Sequence, residues 1–206
     1  ASQKYDLMND IMSFGVHRLW KKYYVKLLEE LHKPNEKILD IASGTGDIFH
    51  LLNRSKNLYA IDPISEMHSV SRKKNSKKII DYETGIVEKM PYRKSYFQTI
   101  SCTYGVRNFE DKKKAFSEIR RCLKKNGYFL FMEFGTPKRE LLLKPYRLYL
   151  NDWLPFIGSI VAKDRHSYKY LAESIQKFPS QRDIIKQVES AGLTHQKTID
   201  FLSGSN

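Results

Sequence analysis

The ten residues Ile38-Leu39-Asp40-Ile41-Ala42-Ser43-Gly44-Thr45-Gly46-Asp47 carry the densest set of chemically useful groups in the chain. An apolar run feeds a Gly-Thr-Gly turn, and two carboxylates, Asp40 and Asp47, bracket it. Glycines at 44 and 46 let the backbone turn tightly and approach a bound molecule. A helix opening at Asp47 would present unpaired amides there. A third carboxylate, Asp62, ends the apolar run that starts at Leu58, 16 residues after Gly46. At a strand end it can accept hydrogen bonds from both hydroxyls of a ribose.

The pattern discriminates between ligands. In a dinucleotide enzyme such amides meet a pyrophosphate, and a third glycine follows. Here Phe49 stands where that glycine belongs, and Asp47 would repel a phosphate. S-adenosylmethionine has no phosphate and carries a sulfonium and an ammonium, so a carboxylate such as Asp40 or Asp47 is welcome beside it. The expected cofactor is therefore S-adenosylmethionine, held by Asp40, Gly44, Gly46 and Asp62. Ile86, with the backbone at Val87, and Thr103-Tyr104-Gly105 would close the adenine side. Asp40 could equally hydrogen-bond loop amides, and the loop could serve only as a turn.

Alternating elements must position these groups. Strands are expected at 37–42, 58–61, from Ile79-Ile80, at 97–103 and at 128–133. Helices are expected at 47–54, at 65–75 with Ser65 as a cap, and at 111–122. This rhythm predicts an α/β fold with a mainly parallel sheet covered by helices on both faces. Residues 4–31 read as a helical N-terminal cap broken near Ser13-Phe14-Gly15. From Pro137 to about 180 the rhythm breaks into an aromatic-rich stretch, read as a helical insertion on the substrate side. It could be core or a lid over an apolar substrate, with Trp153, Phe156, Ile157 and Tyr170 as lining. A helix at 180–191 closed by Gly192, then a strand at 194–201, complete one domain spanning 1–206.

Composition narrows the classes. The chain has 206 residues, 41% apolar, enough for one core. Two cysteines fit a reducing, cytoplasmic setting. No apolar run is long enough to span a membrane, and no signal-peptide pattern is expected at the start. The formal charge is +13, from 36 basic and 23 acidic residues. The basic residues are scattered, without a nucleic-acid-binding motif, so no nucleic-acid partner is expected. No His/Cys/Asp cluster has metal-ligand spacing, so no metal is expected.

Specific blocks add a resemblance. Lys4-Tyr-Asp-Leu-Met-Asn-Asp10, Ser13-Phe-Gly-Val-His-Arg-Leu-Trp20 and the 38–47 loop are followed by Tyr104-Gly-Val-Arg-Asn-Phe109, Glu133-Phe134, Leu154-Pro-Phe-Ile-Gly158 and Ser167-Tyr-Lys-Tyr-Leu-Ala-Glu-Ser-Ile175. Together they resemble the ubiquinone/menaquinone biosynthesis C-methyltransferases. The resemblance implies a Rossmann-like class I methyltransferase fold. It implies methyl transfer from S-adenosylmethionine to a ring carbon of a polyprenylated quinol: demethylmenaquinol, a methoxy-polyprenyl-benzoquinol, or both. It carries cofactor roles to Thr45, Asp62, Ile86, Val87 and Thr103. The chain departs at Ile86, where the family usually has Asn or Asp, at Ser43, usually Gly or Cys, and at Gln98, commonly Asp. The family also usually extends before Lys4 and past Asn206, which leaves open whether these 206 residues are part of a longer chain.

Quinol chemistry needs a ring carbon held in line with the sulfonium methyl, about 3–3.5 Å away, and removal of protons. Arg107 is the candidate oxyanion stabiliser, Asp47 the candidate proton acceptor, and Tyr5 a candidate for placing the ring or a water. Structural readings compete: a loop-pinning salt bridge for Arg107, a helix cap for Asp47, packing for Tyr5. A peripheral contact with the inner face of the cell membrane is expected through Phe14, Leu19, Trp20, Tyr23 and Tyr24 with Arg18, Lys21 and Lys22. A homodimer is compatible with the sequence. The competing functions are methylation of another apolar phenol, methylation of nucleic acid, and a non-catalytic cofactor-binding subunit.

Overall fold

Five stretches rich in β-branched and aromatic residues form one sheet: β1 Ile38–Ile41, β2 Leu58–Asp62, β3 Ile80–Thr84, β4 Phe97–Thr103 and β5 Leu123–Met132. The computed structural model describes residues 10, 13, 15–53, 56–135, 140–161 and 165–201. Strand order is β3-β2-β1-β4-β5, and every ladder is parallel. Parallel neighbours need crossovers. Before the sheet runs α1 (His17–Leu31). Then α2 (Asp47–Leu51) links β1 to β2, α3 (Ser65–Lys74) links β2 to β3, and α4 (Lys112–Cys122) links β4 to β5. Between β3 and β4 the described helical element is a single 3-10 turn at Val87–Lys89.

All four β1 residues are buried, as expected for a central parallel strand with both faces covered. Alternation then assigns the faces. Ile38, Leu58 and Ile80 pack with α1 and α2, whereas Leu39, Ile41 and Ile61 pack with α4 and with α8 (Gln181–Ser190). In α4, Ala115, Phe116, Ile119 and Cys122 form the buried stripe, and the Asp111 side chain accepts from the Lys114 amide at 3.0 Å as N-cap. The two cysteines, Cys102 and Cys122, are buried and free.

Residues 140–161 and 165–176 are helical: α5 (Glu140–Leu148), a π-helical turn Tyr149–Trp153, α6 (Leu154–Val161) and α7 (Arg165–Gln176). Their inner side chains, Leu150, Leu154, Tyr168, Leu171, Ala172 and Ile175, join the cluster that holds α1 and β1. Gly158 permits this packing: a Cβ there would lie 2.3 Å from the Tyr168 ring.

Several expectations are corrected. Ser65 is the first helical residue and caps nothing. Ile64 precedes the helix, and its amide is taken by Asp62 Oδ1 at 2.9 Å. The helix expected at 47–54 stops at Leu51. Ile79 lies outside β3. β5 begins at Leu123, directly after α4, because a register shift opposite Phe97 and Thr99 absorbs the irregular 124–127 segment. Gln98 holds that bulge, donating to the Asn126 carbonyl at 2.9 Å, which gives this departure from the family pattern a structural role. Residues 194–200 form no strand, since no ladder partner engages them among the described residues. The expected contact face on α1 also fails as a unit. Lys21 and Tyr24 are buried, and Trp20 stacks on Phe201 at 5.5 Å, because this side of the helix packs inward. Leu19 and Tyr23 stay exposed; Phe14 lies outside the described residues. Losing the α4 cap costs about 1 kcal/mol, so Asp111→Ala should lower unfolding free energy by that amount in urea titrations, with an unchanged slope.

Candidate functional site

The direction of strand progression reverses between β1 and β4, which opens a crevice beyond their carboxyl ends. The loops that line it are the ones singled out by sequence. Gly44 and Gly46 have φ of +51° and +75°, the left-handed region that favours glycine. They differ in surroundings. A Cβ on Gly46 would lie 2.0 Å from Ser71 Oγ and 2.7 Å from Asn75 Nδ2. Asn75 also donates to the Gly46 carbonyl at 3.1 Å, so α3 docks on the turn. A Cβ on Gly44 would meet no atom within 4 Å. Gly44 thus faces open space where a ligand can approach backbone.

Asp62 joins this loop to the next. Its Oδ2 accepts from the Gly44 amide at 2.8 Å and its Oδ1 from the Ile64 amide at 2.9 Å. Each carboxylate oxygen has a second lone pair, so hydroxyl donors can still be accepted. Beside it, Ile86 is 48% exposed while Val87 turns inward. Ile64 is exposed too, a candidate platform that the sequence reading missed; its position directly after Asp62-Pro63 was the available signal. Thr103 lies half-buried at the end of β4. The β4 loop abuts the glycine loop, since a Cβ on Gly105 would lie 2.6 Å from Ala42 Cβ. These features fit an adenosine-bearing ligand: apolar platforms, an acceptor-only carboxylate and exposed loop backbone.

Asp40 sits below this surface. It is buried and accepts from Ser101 Oγ at 2.8 Å. Tyr24 of α1 completes the cluster, its hydroxyl reaching Ser101 Oγ at 3.1 Å and the Leu130 carbonyl at 2.8 Å. Burial pushes the Asp40 carboxyl up to about 7, aided by the charges of Asp62 and Asp47 and opposed by the Ser101 hydrogen bond and Lys21. The structure therefore places Asp40 under the loop, bonded to β4, and not against loop amides.

Asp47 is gripped by two ammonium groups, Lys21 of α1 on Oδ2 and Lys74 of α3 on Oδ1. Thr45, buried, has its hydroxyl 3.3 Å from both Asp47 Oδ1 and Lys74 Nζ. Burial alone would raise the Asp47 carboxyl, but the two lysines outweigh it and hold it far below the usual carboxylate range. A carboxylate so held is a weak proton acceptor. Asp47 is the first residue of α2, preceded by Gly46.

Arg107 lies in a 3-10 turn after β4, its side chain 4% exposed. Its Nη1 pairs with Glu133 Oε1, and its amide donates to Glu133 Oε2 at 3.2 Å. Glu133 Oε1 also accepts from the Phe134 amide at 3.0 Å. Among the described residues no partner engages the other guanidinium nitrogens. Tyr104 and Phe134 stack beside it at 4.4 Å. Tyr5 lies outside the described residues. Among the described residues no group of three or more His, Cys, Asp or Glu could hold a metal ion.

The Asp40 carboxyl has a pH signature. Below about pH 4 it is protonated folded and unfolded alike. As pH rises toward 7 the unfolded chain releases its proton first, so stability falls, and the loss is complete above 7. Asp40→Asn should raise the melting temperature at pH 8, by the equivalent of a few kcal/mol at most, and change it little at pH 4. Equal shifts at both pH values would contradict the buried-acid assignment.

Known proteins share this architecture and sequence. The ubiE/COQ5 methyltransferase family matches residues 1–205. The ubiquinone/menaquinone biosynthesis C-methyltransferase UbiE of Wigglesworthia glossinidia brevipalpis is 40% identical over 212 residues, covering 99% of this chain and 84% of that protein. The protein of the same name from Methylococcus capsulatus is 37% identical over 209 residues, covering 98% and 84%. Among solved structures, the YcgJ protein of Bacillus subtilis aligns with a TM-score of 0.54 at 20% identity, covering 83% of this chain and 82% of that one. The [4+2]-cyclase SpnF aligns at 0.59 with 14% identity, covering 83% and 56%. At such identities the likeness concerns the fold alone. By sequence, the chain belongs to the ubiE/COQ5 methyltransferase family, with the Rossmann-like fold and S-adenosylmethionine-dependent C-methyltransferase activity of that family.

Proposed function

We propose that the protein methylates a ring carbon of a polyprenylated quinol, either demethylmenaquinol or 2-methoxy-6-polyprenyl-benzoquinol. The observation that carries this reading is the 37–40% identity to UbiE proteins across 98–99% of this chain, supported by a partly unengaged arginine beside the cofactor crevice. S-adenosylmethionine, when bound, supplies an electrophilic methyl group on a sulfonium. Asp62, the Gly44 backbone, Thr45, Ile86, Val87 and Thr103 are the residues proposed to hold it. Ile86 replaces a polar family residue with an apolar platform and gives up one side-chain hydrogen bond.

The acceptor must be electron-rich at carbon. Deprotonating a quinol hydroxyl raises electron density at the adjacent ring carbon. A phenolate in a water-poor site needs a preorganised donor. Arg107 supplies one: Glu133 fixes its position through Nη1, leaving the remaining N–H groups to meet the oxyanion. The Tyr104–Phe134 stack gives the ring an apolar wall. The ring carbon would bond to the methyl as the carbon–sulfur bond breaks with its electron pair left on sulfur; the hydroxyl and ring protons would pass to solvent water and the phenolate would regain one on release, for a net loss of one proton. Asp47, held by Lys21 and Lys74, is assigned a fixed negative charge beside the loop in place of proton acceptance. The tail of such an acceptor resides in a bilayer, so we place the enzyme on the cytoplasmic side as a peripheral visitor. No helix of the described residues is long and apolar enough to cross a membrane.

The test is transfer of label from S-adenosylmethionine to each of the two quinols. Transfer to neither, by a chain that binds the cofactor, would defeat the reading. Arg107→Ala should lower kcat/KM by about 10²–10³-fold, the scale of a lost oxyanion donor, with cofactor affinity retained. Full activity in that variant would reject the role, and lost cofactor binding would mean that Arg107 serves the loop instead.

A further inference from the structure

The insertion exposes a row of apolar side chains on its outward side. α5, the π turn and α6 run on without a break: the backbone at Leu148 and Leu154 is helical, and the Leu154 amide bonds to the Tyr149 carbonyl, five residues back. The inner side, with Leu150 and Leu154, is buried in the core. The outer side exposes Leu141 at 87%, Leu148 at 56%, Trp153 at 56% and Phe156 at 57%. These residues are seven, five and three positions apart. In a regular α-helix the stripe would pass from Leu148 to Asp152, four residues on. The wider π turn takes one more residue per turn and brings Trp153 into line instead. Trp153 and Phe156 then meet edge to face at 6.5 Å.

Charge surrounds the stripe asymmetrically. Lys144 and Arg147 are exposed on α5, and among the described residues neither forms an ion pair. Asp152 is the acid on the π turn. The chain as a whole carries +13. Apolar and aromatic side chains flanked by unpaired cations, along a helix lying on the surface, match the interfacial region of an anionic bilayer. The 22 residues from 140 to 161 span about 33 Å at the helical rise, enough for a line of contact in the headgroup plane.

We propose that the outer stripe of the 140–161 helix is the docking face for an anionic phospholipid surface, with Trp153 and Phe156 entering the acyl boundary and Lys144 and Arg147 meeting headgroup phosphates. This rests on the reading of the acceptor as a polyprenylated quinol. It moves the membrane contact from α1, whose Lys21 and Tyr24 are buried, to the insertion. The π turn is the device that makes the face continuous.

The test is flotation of the full chain with phosphatidylcholine vesicles, with and without phosphatidylglycerol. Wild type should float with the anionic vesicles and much less with neutral ones. Trp153→Ala with Phe156→Ala should reduce the bound fraction about tenfold or more. Lys144→Glu with Arg147→Glu should do so only on anionic vesicles, and Lys113→Glu on α4 should change little. Brominated acyl chains should quench tryptophan emission in wild type and not in Trp153→Phe. Cofactor binding and circular dichroism, retained in each variant, exclude unfolding. Equal flotation of the Trp153/Phe156 variant and wild type would overturn the proposal. So would a wild-type dimer that this variant converts to monomer without any vesicle binding, since the face would then seat a second copy. A short-tailed, water-soluble quinol reads the chemistry without a bilayer. Activity there without vesicle binding overturns the docking face alone, and vesicle binding without methyl transfer overturns the substrate reading alone.

Discussion

The crevice depends on the contact between Gly46 and α3. Ser71 and Asn75 occupy the space in which any Cβ at position 46 would have to sit, and Asn75 holds the Gly46 carbonyl. The turn is thereby fixed from behind by a helix that belongs to the next crossover. With the turn fixed, the Gly44 amide points at Asp62, and Asp62 also gathers the Ile64 amide. One carboxylate so sets the spacing of two loops, and the two exposed side chains proposed as cofactor platforms, Ile64 and Ile86, follow the strand ends it stabilises. A buried carboxylate accepting backbone amides is well satisfied, which is compatible with its low exposure.

A second set of polar contacts ties α1 to the same place. Tyr24 reaches the Asp40–Ser101 pair and the β5 backbone, while Lys21 reaches Asp47. The first contact sits below the loop and the second beside it. Removing one partner of such a buried network leaves the others desolvated and unpaired, which costs more than the bond itself contributes. The N-terminal helix is thus part of the site's foundation, and its aromatic and basic residues are spent inward. This explains why a face that looks membrane-seeking in sequence is only partly available in the structure.

The strands around the loop were legible because central parallel strands are short apolar runs bounded by turn residues, and β4 was read to the residue. The glycine pattern and Asp62 were legible because only a few residue types satisfy a left-handed turn and a strand-end acceptor. What failed was long-range or local-exception physics. Leu123 has helical spacing yet opens β5, since a bulge at 124–127 is set by Gln98 across the ladder. Ser65 looks like a cap but is pre-empted by Asp62. The strand expected at 194–201 had adequate composition but finds no ladder. The ion pairs of Asp47 and Arg107 connect residues far apart in sequence, so their partners were unreadable, although the loop-pinning alternative for Arg107 describes half of what is seen. The π turn leaves no compositional trace that would have shifted the stripe from Asp152 to Trp153.

The connection from β2 into β3 has a wider consequence. β3 is an outer strand of the sheet, and Ile79 just ahead of it is 95% exposed. Such an edge invites pairing with another chain. Lys77 and Lys78 stand immediately before it, and Lys78 donates to the Phe49 and Leu52 carbonyls at the end of α2. One lysine thus closes a helix terminus while its neighbour guards an open strand against edge-to-edge association. Lys77, exposed beside the open strand, stands as its gatekeeper at a spot remote from the crevice.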